Sequence, residues 1–235
     1  MRHLARFIAK AIAFLSPVLK QGGGTSAPGL ALLKLDPKAI SRMANGLSDG
    51  RIVVSATNGK TTTTRILSKI IDKANIPSVS NAAGANLKSG IATTLLRRSS
   101  SQKLGVFEVD EGVLPEVAAE INANIVVLMN LFRDQLDRYG ELEKIRENWK
   151  LMIDGLPAST KLLVNADDPS LVFATLDHPN LVFFGLGETR YALESIPHAA
   201  DSSQCPRCNN QLQYSQITIS HMGDWSCTQC GLSRP

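Results

Sequence analysis

The chain has 235 residues, of which 43% are hydrophobic and 20% are charged, and its formal net charge at pH 7 is +4. These proportions are those of a soluble globular protein rather than of a disordered or fibrous chain, and the length is sufficient for one or two domains with buried cores. The mild basic charge suits an anionic ligand such as a nucleotide but does not indicate a nucleic-acid partner.

The first predicted element is an amphipathic helix over residues 2–20. The segment has a basic start and an apolar run, residues 11–19, which Lys10 and Pro17 interrupt. It is too short and too charged to span a bilayer, and it shows no clear signal-peptide cleavage site. We expect this helix to pack on the main domain of a cytoplasmic protein, the alternative being that it lies on a membrane surface. A Gly- and Pro-rich stretch at residues 22–29 predicts a flexible connector after it.

From residue 51 onward, short apolar runs alternate with amphipathic stretches. This alternation predicts an α/β fold with a parallel sheet covered by helices on both faces, in which ligands bind at the carboxyl ends of the strands. Asp167 or Asp168 is predicted to cap the helix that begins at Pro169. The predicted strands cover residues 52–56, 78–80, 105–109, 125–130, 162–165 and 181–184. The predicted helices cover residues 62–73, 90–98, 114–121, 142–153 and 169–176.

The segment from Val53 to Thr64 reads VVSATNGKTTTT, which predicts a buried strand, a tight turn and a helix that opens with hydroxyl residues. Such a turn directs backbone N–H groups and the positive end of the helix dipole at one point, where a phosphate can bind. Lys60 would place a charge on the β- and γ-phosphates, and the Thr61 hydroxyl would bind Mg²⁺. A full Walker A motif requires glycine where Val54 stands, so the loop is predicted to be a shorter variant of that motif. The alternative is a strand–turn–helix with a chance Gly-Lys-Thr. The predicted nucleotide contacts are Thr57, Asn58, Gly59, Lys60, Thr61, Thr62 and Asn81.

Acidic and amide side chains follow two other predicted strands. Glu108 ends a buried strand, where its carboxylate can hold Mg²⁺ beside the phosphates. Asp110 and Glu111 could share this role, and the alternative for all three is a cluster of solvated loop acids. Asn81 and Asn86 could donate hydrogen bonds to a ligand, or they could simply close turns.

The four cysteines form two C-x₂-C pairs, Cys205 with Cys208 and Cys227 with Cys230, separated by 18 residues. This spacing is typical of a structural zinc site in which each pair supplies two thiolates of a tetrahedron. Two disulfides and a redox-active pair are the alternatives, although the context favours reduced thiols. Residues 214–220 predict a ribbon strand between the pairs. Because few basic residues lie nearby, we expect the ribbon to stabilise the fold or bind a protein rather than read nucleic acid.

Residues 130–141 read NLFRDQLDRYGE. Together with the turn of the Val53–Thr64 segment, which we call the phosphate loop, they resemble the Mur ligase superfamily. Members of this superfamily use ATP to join an amine to a carboxylate through an acyl phosphate. Their loop reads G-T-x-G-K-T, whose first glycine is replaced here by Ala56. Gln135 stands where the peptide-adding ligases have a metal-binding histidine, and a Gln carbonyl is a suitable oxygen ligand for Mg²⁺. The form with glutamine, combined with a cysteine ribbon, is similar to one branch of the superfamily, the ligase-like subunits of enzymes that amidate lipid II.

The resemblance implies that ATP phosphorylates the α-carboxylate of D-glutamate in the lipid II stem peptide and that ammonia displaces the phosphate to give D-isoglutamine. It implies ATP, Mg²⁺ and Zn²⁺ as cofactors and a GatD-type glutaminase partner that supplies the ammonia. The implied catalytic residues are Lys60, Glu108, Gln135 and Lys150, with Thr61 and Glu108 on Mg²⁺. Lys150 would be a carbamoylated metal-binding lysine, or else a solvated lysine on a helix. Two other functions stay open: a Mur-type ligase that adds an amino acid, and a zinc-ribbon P-loop ATPase that acts on nucleic acid.

The expected domains are an N-terminal helix and connector over residues 1–50, a central ATP-binding domain over 51–195, and a zinc-ribbon insertion over 196–235. We expect the C-terminal ligase domain of such relatives to be absent from this chain, so that the chain alone binds nucleotide without turning over. A lipid-linked substrate would make peripheral contact with the inner face of the plasma membrane reasonable.

Overall fold

The computed structural model of the protein describes residues 26–81, 84–132, 141–187, 190, 192–193 and 203–235. The predicted helix over residues 2–20 and the predicted metal ligand Gln135 lie outside the described residues. The chain divides into two compact units. The first comprises Met1–Ser55 and Gly59–Val126, and the second comprises Ala56–Asn58 and Val127–Pro235.

The first unit is built on strands whose buried residues lie mainly in Gly50–Ser55 and Leu104–Val109. Its strands are β1 (Gly50–Ser55), β2 (Ser78–Ser80) and β3 (Leu104–Val109), and β4 (Ile125–Leu128) begins in it. Its helices are α1 (Ala27–Leu35), α2 (Ala39–Ala44), α3 (Lys60–Lys73), α4 (Lys88–Arg97) and α5 (Leu114–Ile121). Strands β2, β3 and β1 are neighbours in that order, and both pairings are parallel. Val53, Val54, Val106 and Phe107 are fully buried, which is typical of the inner strands of a parallel sheet.

Local sequence explains where two helices of this unit begin and end. Helix α3 begins directly after Gly59, whose φ of 86° is a left-handed conformation that glycine adopts without strain. Helix α5 has Pro115 in its first turn, where the missing N–H group costs nothing. The same helix ends at Asn122, whose φ of 52° stops the helical hydrogen bonds.

The predicted connector at residues 22–29 is wrong for its last residues, because Ala27–Leu35 is helix α1. Pro28 lies in the first turn of this helix, a position that tolerates proline. The backbone N–H of Gly29 donates to Thr93 Oγ1 of α4 at 2.8 Å. A Cβ atom at Gly29 would lie 1.8 Å from the carbonyl oxygen of Ser89. The Pro-Gly pair therefore marks a helix start and a close helix–helix contact rather than a linker.

The second unit contains further strands of the α/β alternation and an antiparallel hairpin. Its strands after β4 are β5 (Lys161–Asn165), β6 (Leu181–Phe184), β7 (Gln213–Ile219) and β8 (Met222–Ser226). Its helices are α6 (Glu141–Asp154) and α7 (Pro169–Thr175). Strands β4, β5 and β6 are neighbours in that order, and β5 pairs with β6 in parallel. Strands β7 and β8 form the separate hairpin.

The hairpin and the cysteines share a small hydrophobic core with α7, which we call the ribbon core. Its buried members are Val172, Cys205, Leu212, Trp225, Cys227 and Leu232. Val172 belongs to α7, so the ribbon packs on the helix that follows β5. The ribbon core is small for a segment of this length, which is typical of modules that also depend on a metal or disulfides.

The observed elements confirm the predicted α/β class and all six strands of the sheet, with end points that differ by no more than two residues. Strand β4 stops at Leu128 rather than at residue 130, and the ribbon strand covers Gln213–Ile219 rather than 214–220. Asp168 caps α7 as predicted, since its carboxylate accepts from the N–H groups of Ser170 and Leu171. Among the described helices, none combines the length and the apolar composition that crossing a bilayer requires.

Candidate active site and metal centre

In the first unit, the start of α3 carries a lysine held by a carboxylate. Lys60 is the first residue of the helix, and its Nζ lies 3.2 Å from Glu111 Oε2. The two side chains are only 13% and 16% exposed. The first N–H groups of a helix have no partner within the helix, and the helix dipole is positive at this end. Lys60 therefore adds its charge at a point that already favours an anion, and Glu111 balances that charge.

A second cluster of the first unit is centred on Glu108. The hydroxyl of Thr61 donates to Glu108 Oε1 at 2.7 Å. Asn81 fixes the backbone of the same residue, because its Oδ1 accepts from Glu108 N–H and its Nδ2 donates to the Glu108 carbonyl, both at 2.8 Å. Three predicted site residues, from α3, β3 and the end of β2, thus meet in one hydrogen-bonded network.

The surroundings of Glu108 fit a divalent cation. The residue is 1% exposed, and its Oε2 has no hydrogen-bond partner among the described residues. A buried carboxylate oxygen without a partner is costly, and a bound cation relieves that cost. The neighbouring Thr61 hydroxyl is a second hard oxygen, and Mg²⁺ prefers such ligands. The residues present therefore fit Mg²⁺.

The two further acids and Asn86 have different surroundings. Glu111 contacts Lys60, as described above. Asp110 Oδ1 accepts from the N–H of Gly112 at 3.1 Å and closes a turn. The Asp110 N–H donates to the carbonyl of Asn86, so Asn86 supports the same region through its backbone.

In the second unit, Asn130 holds the first half of the phosphate loop. Its Oδ1 accepts from the N–H of Asn58 at 2.9 Å, and its Nδ2 donates to the Asn58 carbonyl at 3.0 Å. The N–H of Thr57 donates to the Asn130 carbonyl at 3.1 Å. Phe132 N–H donates to Thr57 Oγ1 at 3.0 Å. The N–H groups of Thr57 and Asn58 are thus engaged within the protein, which leaves phosphate contacts to the N–H groups from Gly59 onward and to side chains.

Asn130 is a residue of this site whose own role was not predicted from the sequence. The signal that could have found it is its place at the start of the NLFRDQLDRYGE motif, two residues after the end of β4. Its contacts with Thr57 and Asn58 join residues 72 positions apart, so only the folded chain makes them visible.

The four cysteine sulfurs form a compact cluster. Cys205 Sγ lies 3.6 Å from Cys230 Sγ, Cys208 Sγ lies 3.5 Å from Cys227 Sγ, and all four sulfurs lie within 4.8 Å of one another. A zinc tetrahedron with Zn–S bonds of about 2.3 Å has edges of roughly 3.8 Å. A disulfide would instead require about 2.05 Å between sulfurs. The cluster therefore fits a metal bound by four thiolates better than two disulfides.

Hydrogen-bond donors surround two of these sulfurs. Burial raises the pKa of the Cys205 thiol to about 12, although the backbone N–H groups of Arg207 and Cys208 oppose this effect. The side chain and backbone N–H of Asn210 lower the pKa of Cys208 to about 6. N–H donors directed at sulfur stabilise the thiolate form, which is the form that binds a metal. A cation in the cluster would offset the cost of ionising Cys205 in its buried position.

Comparison with known proteins now decides the family. Residues 54–226 match the family described as the Mur ligase middle domain, which is most of the chain. The chain belongs to the Mur ligase family. A solved Mur-type relative, a pseudomurein peptide ligase type C from Methanothermus fervidus, superposes with a TM-score of 0.61 and 25% identity. That match covers 88% of this chain and 41% of the other.

Two curated relatives are similar over nearly the whole chain. The MurT subunit of the glutamine-hydrolyzing lipid II isoglutaminyl synthase of Staphylococcus aureus strain N315 is 33% identical over 233 residues, which are 99% of this chain and 51% of that protein. The MurT subunit of Streptococcus pneumoniae strain R6 is 32% identical over 220 residues, covering 91% and 48%. The chain thus spans about half the length of the curated relatives it matches.

The remaining Mur-type prediction concerns Lys150 on α6. Its Nζ lies 3.1 Å from Asp177 Oδ2 and 3.5 Å from Asp154 Oδ1, and the side chain is 32% exposed. The hydrogen bond to Asp177 raises the pKa of Lys150 and thereby favours the ammonium form. Carbamoylation requires the neutral amine, so the role of Lys150 in this Mur ligase family member stays a prediction, as does that of Gln135.

Three hydrogen bonds anchor the ribbon to the loop after β5 in the second unit. Trp225 Nε1 donates to the Ala166 carbonyl at 3.0 Å, and Arg234 Nε donates to Asp167 Oδ1 at 2.8 Å. The Gly223 N–H donates to the Asp167 carbonyl at 3.0 Å. Asp167 therefore holds the ribbon, whereas its neighbour Asp168 caps the helix.

Proposed function

We propose that this chain is the ATP- and Mg²⁺-binding part of a ligase that amidates the D-glutamate α-carboxylate of the lipid II stem peptide. The observation that carries the proposal is the Glu108 network. Glu108 Oε1 accepts from the hydroxyl of Thr61, the residue that follows Lys60, and Glu108 Oε2 is buried with no hydrogen-bond partner in the part of the chain that the structure describes. The similarity to MurT subunits supports the choice of acceptor. The activity belongs to the whole ligase, of which this chain spans about half by comparison with those relatives.

Each residue of the network has a distinct task in this reaction. Lys60 and the start of α3 bind the terminal phosphates, which requires Lys60 to turn from Glu111 to the nucleotide. Thr61 and Glu108 would hold Mg²⁺, which would neutralise charge on the transferred phosphoryl group. Asn81 keeps the Glu108 backbone in place. The carboxylate of the substrate attacks the γ-phosphorus of ATP, and the bond to the bridging oxygen breaks with release of ADP. Ammonia then attacks the carbonyl carbon of the acyl phosphate, loses a proton and releases inorganic phosphate, which leaves the amide.

The ammonia is proposed to come from a GatD-type glutaminase subunit. All four cysteines of the sequence lie in the cluster that fits a metal ion. Because none is then left to serve as a cysteine nucleophile, we assign the hydrolysis of glutamine to a partner. The names of the MurT relatives describe a subunit of a glutamine-hydrolyzing enzyme, which supports this assignment. Zn²⁺, when bound by four protein ligands, has a structural role rather than a catalytic one. Because lipid II is membrane-linked, we propose a cytoplasmic protein that contacts the membrane peripherally.

The decisive test is mass spectrometry of lipid II after incubation with ATP, Mg²⁺, glutamine, the glutaminase and the full ligase subunit that contains this chain. We expect a product about 1 Da lighter, because NH₂ replaces OH on the carboxyl group after phosphoryl activation. The Lys60→Ala variant is expected to lose at least about 100-fold in rate, since it removes a phosphate-binding cation.

Lys69→Ala serves as the matched control, because Lys69 lies on the same helix with 82% of its side chain exposed. We expect it to keep wild-type activity. An unchanged lipid II mass, with ATP binding intact, would exclude the amidation and point to an amino-acid acceptor.

A further inference from the structure

His221 is a buried histidine to which the proposed reaction gives no task. It lies in the tight turn between β7 and β8 of the ribbon, and its side chain is fully buried. In sequence it stands six residues before Cys227 and is not part of either C-x₂-C pair. Tyr214 of the same hairpin donates its hydroxyl proton to the His221 carbonyl at 2.8 Å, which fixes the turn.

The imidazole ring reaches out of the ribbon to two other segments of the second unit. Its Nε2 lies 3.4 Å from Asp168 Oδ2, and neither side chain is exposed. Its ring centre lies 5.1 Å from that of Phe132, with the planes inclined by 65°. Edge-to-face contacts of this kind are favourable and depend on orientation. His221 therefore contacts both the cap of α7 and the segment that follows β4.

Asp168 is the point where three segments meet. Its Oδ1 accepts from Ser170 and Leu171 N–H groups as the helix cap, at 2.9 and 3.3 Å. Its Oδ2 accepts from the N–H of Leu131 at 2.8 Å. The same Oδ2 faces His221. One fully buried carboxylate thus joins the ribbon turn to the backbone after β4.

The residues on either side of Leu131 hold the phosphate loop. Asn130 makes the paired hydrogen bonds with Asn58, and Phe132 exchanges hydrogen bonds with Thr57. Each step from the ribbon to the loop is therefore a direct contact between buried or partly buried groups. Asn58 is followed in sequence by Gly59 and Lys60, the residues that would meet the phosphates.

We propose that His221 is a positioning residue for the phosphate loop, acting through Asp168 and Phe132 on residues 130–132. In this arrangement, the ribbon that carries the four cysteines fixes the conformation in which Asn130 and Phe132 hold Thr57 and Asn58. The inference rests on the proposed function only in taking the loop as the nucleotide-binding element. It gives the ribbon a task beyond its own stability.

The test compares two variants of similar side-chain volume, so that a cavity does not dominate the result. His221→Leu fills the space without a nitrogen atom, whereas His221→Gln keeps an N–H group that can face the Asp168 carboxylate, as the imidazole Nε2 does at 3.4 Å. His178→Leu is the matched control, because His178 is also a buried histidine of the second unit and its described hydrogen bond is with Asn180. Each variant of the 235-residue chain is prepared with zinc and measured by hydrogen–deuterium exchange and by titration with MgATP.

We expect His221→Leu to speed exchange of the Asn58 and Leu131 N–H groups at least about fivefold and to weaken MgATP binding about tenfold. His221→Gln should recover most of both effects, and His178→Leu should leave both at wild-type values. The proposal is overturned if His221→Leu exchanges like wild type at these positions, or if His178→Leu loosens them equally. If the wild-type chain does not bind MgATP, the proposed function fails, and the exchange comparison still decides the positioning role.

Discussion

Glu108 is a carboxylate whose two oxygens have different surroundings. One accepts from Thr61, and the other is buried without a partner among the described residues. Sequence alone could identify Glu108, because an acid at the end of an apolar strand is an uncommon pattern with a ready chemical use. Sequence could not foresee that Asn81 would hold the Glu108 backbone from a separate strand end, because that contact depends on how the strands are ordered.

Glu108→Gln is expected to separate metal binding from stability. The neutral amide removes a buried charge, so without Mg²⁺ the free energy of unfolding should stay equal or rise by about 1 kcal/mol. Mg²⁺-dependent binding of ATP should fall at least about tenfold, because an anionic ligand is lost. Thermal unfolding with and without MgATP measures both quantities.

The control for this substitution is Glu116→Gln, which changes a mostly exposed acid on α5. It should leave both the unfolding temperature and the MgATP shift unchanged. If the Glu108→Gln variant keeps the full rise in unfolding temperature on addition of MgATP, Glu108 is not a metal ligand.

At the scale of elements, the hydrophobic pattern was sufficient to predict the strands and helices of the sheet region. It was not sufficient to predict the helix α1, which lies before β1. Most of the strands of the sheet contain short apolar runs with clear ends, so their positions could be predicted within two residues. The Gly- and Pro-rich start of α1 has the composition of a loop. It is helical because Gly29 allows α1 to approach α4 closely, a tertiary contact that composition does not reveal.

Gly29→Ala is expected to destabilise the first unit. The new methyl group would overlap the Ser89 carbonyl and the Thr93 hydroxyl, so α1 would have to move and lose its hydrogen bond. We expect a loss of about 2 kcal/mol or more in the free energy of unfolding, measured by denaturant titration. Gly187→Ala is the control, since no atom of the described residues lies within 4 Å of a Cβ atom there. Equal stability of the two variants would contradict the close approach.

At the scale of the whole molecule, the predicted site residues fall into two groups. Lys60, Thr61, Asn81 and Glu108 belong to the first unit, and Thr57 and Asn58 belong to the second. The spacing of the cysteines was sufficient to predict their cluster, because C-x₂-C pairs restrict the geometry locally. The contacts of the ribbon with Ala166, Asp167 and Asp168 could not be predicted, because they join segments about 60 residues apart.

We expect the chain to bind one zinc ion per molecule and to depend on it in the ribbon. Chelation or Cys230→Ser should remove the metal and abolish exchange protection over residues 203–235, since a small core then lacks its cross-link. Elemental analysis measures the zinc content, and hydrogen exchange measures the protection of residues 203–235. Thr228→Ala, an exposed change within the same C-x₂-C pair, should keep full zinc content. Zinc-free protein with an unchanged exchange pattern would refute the dependence.

The hydrogen bonds between Asn130 and the Thr57–Asn58 segment have a consequence for the entropy of ligand binding. Because the N–H groups of Thr57 and Asn58 donate to Asn130, this part of the loop has already lost its conformational freedom on folding. A phosphate that meets this loop has less chain to order, so more of the contact energy is available as affinity. The conformational entropy of ordering Thr57 and Asn58 is therefore lost once, when the protein folds, and is not lost again each time a nucleotide binds.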